Sequence, residues 1–140
     1  MEKNIYLFLA LAVLLIPFYF IWQGNKERDA ERLKKLAERK TISPEKFIKY
    51  FEEKGFKKET VRELYDELQS YSGNETPLNP DDDLCEVFNI DIEELESIAE
   101  NIFRKTHGRE ITKSEIKKFN PEGKRMTKFE EVLIFISGKF

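Results

Sequence analysis

The sequence predicts an all-α chain, in which a single N-terminal transmembrane helix precedes a small helical domain. Three observations carry that expectation. Ile5 to Trp22 form eighteen consecutive residues without a charge. Beyond residue 43 the apolar residues recur at steps of three and four behind recognisable helix-start residues. No stretch has the period-two alternation of a strand.

An α-helix over IYLFLALAVLLIPFYFIW rises about 27 Å at ~1.5 Å per residue, enough to cross the hydrocarbon of a bilayer. Tyr6 at one end, and Tyr19 and Trp22 at the other, stand where amphipathic rings favour the headgroup level. Pro17 is tolerable in such a helix because neighbouring groups can re-satisfy the backbone it frees. The rival is a cleaved secretory signal, which wants an apolar run of about 7 to 15 residues, a basic start and a small-x-small cleavage site. Here the run is longer, Lys3 is offset by Glu2, and bulky Phe20, Ile21 and Trp22 close it. Residues 1–24 are therefore read as an anchor whose residues 5–22 meet the lipid bilayer.

Lys26, Arg28, Arg32, Lys34, Lys35, Arg39 and Lys40 all follow the span, against one lysine before it. Basic flanks stay cytoplasmic, so the expected topology is single-pass in the inner (cytoplasmic) membrane, N-terminus out and C-terminal domain in. Residues 25–40 lack a helix breaker and set Ala30, Leu33 and Ala37 on one stripe, so residues 25–42 are read as a charged helical stalk. Glu27, Asp29, Glu31 and Glu38 dilute its basic charge, so spacing is expected ahead of anionic-lipid binding.

Residues 43–140 are long enough for one domain. With 24 Lys and Arg against 27 Asp and Glu the net charge is −3, which offers no case for nucleic acid as the principal partner. A lone cysteine, Cys85, rules out an internal disulfide and suits a reducing compartment.

Ser43-Pro44-Glu45 starts the first helix of this domain, with a capping oxygen, proline at the first helical position and a carboxylate near the positive dipole end. Phe47, Ile48 and Phe51 form its inward face, and Gly55 closes it after Lys54. Thr60-Val61-Arg62-Glu63 fits a capping box for a second helix carrying Val61, Leu64, Tyr65 and Leu68 up to Ser72-Gly73-Asn74. A proline-bearing loop, Thr76 to Leu84, follows, with Leu78 and Leu84 expected to pin it to the core. Asp91-Ile92-Glu93-Glu94 opens the best-marked helix after the anchor, with Leu95, Ile98, Ala99, Ile102 and Phe103 inward until Gly108. Ile111 to Ile116 suggest a short helix and Asn120-Pro121-Glu122-Gly123 a turn. Thr127-Lys128-Phe129-Glu130 suggests a last capping box, before a helix burying Phe129, Val132, Leu133 and Ile136.

Reactive constellations are scarce. The chain has one histidine, one cysteine, no glycine-rich phosphate loop and no His or Cys pair at metal-ligand spacing. No catalytic residue, metal site or cofactor is expected. His107, next to Gly108, reads as a surface residue favoured by the dipole at a helix C-terminus, and Cys85 as a small packed side chain.

Residues 81–100 hold nine acids and no base: Asp81, Asp82, Asp83, Glu86, Asp91, Glu93, Glu94, Glu96 and Glu100. Together with the order of elements around them, they make residues 60–140 resemble the acyl carrier protein family, in particular short bacterial carrier-like members. The resemblance rests on a helix, a long loop reading LNPDDDL, an acidic helix entered through Asn89-Ile90-Asp91, a short helix, and a terminal helix reading MTKFEEVLIFI. It implies an acyl-carrier-like helical bundle, to which residues 44–54 would add an extra N-terminal helix.

In that family a serine follows the aspartate and carries a phosphopantetheine arm. Asp91 matches the aspartate, but Ile92 occupies the serine position and has no hydroxyl to modify; Asn89 fails equally, and Ser97 lies deeper in the helix. What the resemblance still implies is docking through the acidic helix to a basic protein surface. Asp91, Ile92, Glu93, Glu94, Glu96 and Glu100 are the expected partner-binding residues, with Ile92 as an apolar contact. The reading is a membrane-anchored, non-catalytic interaction module. Its rivals are a genuine carrier with a non-standard attachment residue, and an immunity-type or structural membrane protein that plugs one target.

Overall fold

A computed structural model describes residues 2–72 and 75–138, with side chains from residue 4 onward. The chain forms two compact units that divide after Arg39.

The first unit is one helix, α1 (Glu2–Glu38), of 37 residues, unbroken at Pro17. Its apolar side chains are exposed: Phe8 is 73% exposed and Trp22 60%. A core helix of a globular domain would bury such residues, whereas residues 5–22 are apolar on all sides and exposed, as a helix segment surrounded by lipid would be. It is long and apolar enough to cross a membrane. Past the apolar run, Lys26 lies over the Trp22 ring at 5.3 Å and Lys35 pairs with Glu31 at 3.7 Å.

The second unit is an all-helical bundle of six helices among the described residues: α2 (Pro44–Glu53), α3 (Lys58–Gln69), α4 (Leu84–Phe88), α5 (Ile92–His107), α6 (Lys113–Phe119) and α7 (Phe129–Ser137). Ser43 caps α2 as its side chain accepts from the Lys46 amide, and Gly55 turns the chain at φ 98°. α5 packs on α7, α3 packs on both, α2 lies on α3, and α4 lies on α5.

The core is aromatic where α2 meets α7. Phe47, Phe51 and Phe129 are fully buried, with Phe47 edge-on to Phe129 at 4.7 Å and Phe51 5.0 Å from Phe129. Edge and tilted contacts of this kind add to the area each ring buries. α2 is thus an integral layer of the bundle, and its inward face is the one expected.

The loop before α4 is held at both ends by isolated antiparallel bridges, Ile42 with Leu78 and Asp83 with Lys128. Leu78 and Leu84 are each 1% exposed, so they do pin it. Lys40 and Ile42 are also held there: the Asn79 Nδ2 donates to the Lys40 carbonyl and the Ile42 amide to the Leu78 carbonyl.

Three local expectations are corrected. α3 begins two residues before Thr60, behind Lys57, with no side-chain cap, because Lys58 and Glu59 carry no breaker and Glu59 already places a carboxylate in the first turn. It ends at Gln69 with Ser70 as its C-cap; Gly73 and Asn74, expected to break it, lie outside the described residues. At α7 the Glu131 carboxylate, not that of Glu130, accepts from the Thr127 and Lys128 amides. Thr127 is instead drawn into the loop, where its carbonyl accepts the Leu84 amide at 2.8 Å.

Candidate functional site

The acidic segment folds as a short helix, a left-handed hinge and a long helix. Asp83 caps α4, its carboxylate accepting the Glu86 amide at 3.1 Å. α4 was not anticipated; at five residues it is too short to show a periodicity. Asn89 follows at φ 53°, the one non-glycine residue in the left-handed region among the described residues. Asparagine tolerates that conformation better than most side chains. The turn it makes buries Ile90 and delivers Asp91 to the start of α5.

Asp91 and Glu94 then cap each other's backbone. The Glu94 amide donates to Asp91 Oδ1 at 2.8 Å and the Asp91 amide to Glu94 Oε2 at 3.0 Å. This is the reciprocal capping box; it gives two of the carboxylates expected to face a partner a local hydrogen bond, and both stay exposed. Two of the loop acids are likewise engaged locally, Asp83 as a cap and Asp82 in accepting the Asn79 amide at 2.7 Å.

Glu93, Glu96 and Glu100 remain. All three are exposed, and none forms an ion pair with a described residue. Their spacing sets them on one stripe of α5, opposite in character to the buried stripe of Leu95, Ile98, Ala99 and Ile102. Arg104, one turn beyond Glu100, is directed at Glu110 instead, at 3.9 Å. Like charges three and four residues apart each destabilise a helix by about 0.2–0.5 kcal/mol. The dipole offsets this for Glu93 at the first turn, but not for Glu96 and Glu100 deeper in the helix.

Ile92, the first residue of α5, is half-buried rather than displayed, so its apolar contact is offered only in part. Ser97 is exposed, but five residues along the helix it is turned about 140° from Ile92. Cys85 sits on α4 beside this entry, partly buried. Burial pushes its thiol above the usual range, with the Asp83 and Asp91 carboxylates adding to the effect, so it is kept as a neutral thiol and not as a thiolate nucleophile. Among the described residues, no group of three His, Cys, Asp or Glu side chains is arranged to hold a metal ion.

The arrangement can attract and orient a cationic surface, and contains no nucleophile with a base beside it. His107, the one imidazole, is occupied structurally: it stacks on Phe103 at 4.3 Å and its Nε2 lies at the Ile136 carbonyl. It is more than the dipole-favoured surface residue expected. Neither its helical position nor its neighbours in sequence could indicate a partner 29 residues away. Comparison of the chain with protein-family models, curated proteins and solved structures finds no match.

Proposed function

We propose that this chain is a membrane-tethered, non-catalytic interaction module that docks a basic protein surface through the acidic stripe of α5. The observation that carries the reading is the set of Glu93, Glu96 and Glu100: exposed, without ion-pair partners among the described residues, and with Glu96 and Glu100 placed where they weaken their own helix. Charges so placed have little structural return and steer encounter with an oppositely charged partner, mostly through the on-rate. α1 supplies the tether, and its basic flank favours a cytoplasmic bundle in a single-pass inner-membrane protein. Tethering raises the effective concentration of the bundle for partners at the same membrane.

The likeness to acyl carrier proteins supports the same face, since docking in that family is through its acidic helix. The order of a helix, a pinned loop, an acidic helix, a short helix and a terminal helix is the one that likeness implies, with α4 added between the loop and the acidic helix. A carrier role is not proposed. The residue at the attachment position, Ile92, offers no hydroxyl, so a phosphopantetheine arm does not fit the residues present.

The test is chemical crosslinking of the full chain in native membranes, comparing the wild type with Glu93→Lys/Glu96→Lys. Glu94 is left intact so that the cap survives. Crosslinked partners are expected to be lost together in the variant and to weaken as salt is raised. An unchanged crosslinking pattern would remove the acidic stripe from the proposal. Intact mass after coexpression with a phosphopantetheinyl transferase is expected to show no added arm.

A further inference from the structure

The acids of the bundle cluster at residues 81–100, and its bases cluster immediately after. Residues 104–128 contain nine Lys and Arg against three acids. All three acids are already committed: Glu110 to Arg104 at 3.9 Å, Glu115 to Arg109 at 2.6 Å, and Glu122 to Lys124 at 2.7 Å. Lys105 pairs with Glu63 at 3.8 Å. Lys113, Lys117, Lys118, Arg125 and Lys128 are left, all exposed and none in an ion pair with a described residue.

Four of these five belong to α6 and the turn after it. The turn is folded back on the helix end, since the Asn120 side chain accepts the Lys124 amide at 2.9 Å and donates to the Lys124 carbonyl. α6 itself has no buried residue. It is held by the edge contact of Phe119 with Phe135 at 5.3 Å and by the bidentate Arg109 pair on Glu115. Ile116, 38% exposed, is the single aliphatic side chain of comparable size displayed by the described part of the bundle. It lies between Lys113 and Lys117 on one face of α6.

We infer that α6 and the turn through Arg125 form a second contact surface, which lies against the anionic headgroups of the membrane that anchors the chain. The inference rests on the tethered, cytoplasmic reading of α1. A surplus of cations around one exposed aliphatic residue, on a helix that packs little on its own bundle, fits a bilayer interface better than a protein groove. The tether keeps the bundle at a bilayer whose cytoplasmic leaflet is negative, where each cation near the surface strengthens association about fivefold. It would leave α5 to serve the protein partner.

The experiment uses the full chain reconstituted singly into nanodiscs of phosphatidylcholine alone or mixed with phosphatidylglycerol, with amide hydrogen exchange followed over residues 111–126. Exchange there is expected to slow at least about tenfold in the anionic discs, and to recover in high salt or in Lys117→Glu/Lys118→Glu. The double variant keeps α5 and α7 protection unchanged if it folds normally, which guards against a general loss of structure. Equal exchange in the two lipids overturns the inference and leaves the tether standing. Protection that follows protein concentration and not lipid charge also overturns it, assigning the surface to the acidic face of a second copy. Failure of the chain to co-elute with discs of either lipid refutes the tether, and this surface falls with it.

Discussion

The Nε2 of His107 lies 2.7 Å from the main-chain carbonyl oxygen of Ile136, joining the last turn of α5 to the last turn of α7. With Nε2 protonated, the imidazole donates to a carbonyl that the helix end would otherwise leave short of a partner. The same ring stacks on Phe103, whose other neighbours include the Arg109 guanidinium, 5.3 Å from the ring centre.

His107→Ala removes both the hydrogen bond and the stack, and is expected to destabilise the bundle by about 1–2 kcal/mol. Urea unfolding measures the total. Amide exchange should locate the loss at the C-terminal turn of α7, well away from α2.

The aromatic layer between α2 and α7 predicts a larger effect. Phe47→Ala or Phe51→Ala opens a cavity at a fully buried site and is expected to cost about 3–5 kcal/mol. Tyr50→Ala, on the half-exposed side of the same helix, should cost much less. Thermal unfolding of the three variants checks the contrast; similar losses would mean that α2 only covers the bundle.

Asn89 supplies a third prediction. At φ 53°, Asn89→Gly is expected to be neutral or slightly stabilising, whereas Asn89→Val should cost about 1–2 kcal/mol because a branched Cβ meets the following carbonyl. Denaturation midpoints of the two variants give the comparison.

Acid should loosen α6 before the rest of the bundle. The Arg109 guanidinium foremost, then the Thr112 amide and hydroxyl, hold the Glu115 carboxyl down at about 2, against an ordinary value of 4.5. A carboxyl depressed on folding contributes stability that is complete above its unfolded value and is lost as pH falls towards its folded one. The capping box at Thr112 and the Arg109 pair should therefore weaken between pH of about 4.5 and about 2. The check is amide exchange at Thr112 and Glu115 as a function of pH, with Glu115→Gln expected to abolish the local pH dependence.

Much of the helical plan was legible in local chemistry. The charge-free run of α1, Ser43-Pro44-Glu45 before α2 and Asp91 to Glu94 before α5 each state a boundary within a few residues, because the groups that satisfy a helix start are its immediate neighbours. The inward stripes of α2, α3, α5 and α7 were readable for the same reason. Errors arose where a distant segment competed for the cap. Thr127 looked like an N-cap, but its carbonyl is taken by Leu84, and the carboxylate that caps moved one residue on. α4 is not legible in the sequence even though Asp83 and Glu86 have capping spacing, since Pro77 and Pro80 nearby argue for irregular chain.

At the candidate site the sequence identified the acidic helix but could not sort its carboxylates. Asp91 and Glu94 each accept the other's amide while staying exposed, and Ile92 is half-covered, whereas Glu93, Glu96 and Glu100 face outward without a local partner among the described residues. That sorting depends on which oxygen reaches which amide. The surplus of cations around α6 is countable in the sequence, but which of them stand without an ion pair emerges only once Glu110, Glu115 and Glu122 are seen beside Arg104, Arg109 and Lys124.

The two isolated bridges that hold the loop before α4 bear on the order of assembly. They join residues thirty-six and forty-five positions apart, Ile42 to Leu78 and Asp83 to Lys128. Contacts of such separation close late, because the entropy of bringing distant segments together must be met before they contribute. During synthesis the loop therefore waits for the strand of chain through Lys128 to leave the ribosome, long after α1 has emerged. A truncation ending before Thr127 loses the second bridge together with α7, so the loop and the core it is pinned to are lost as one.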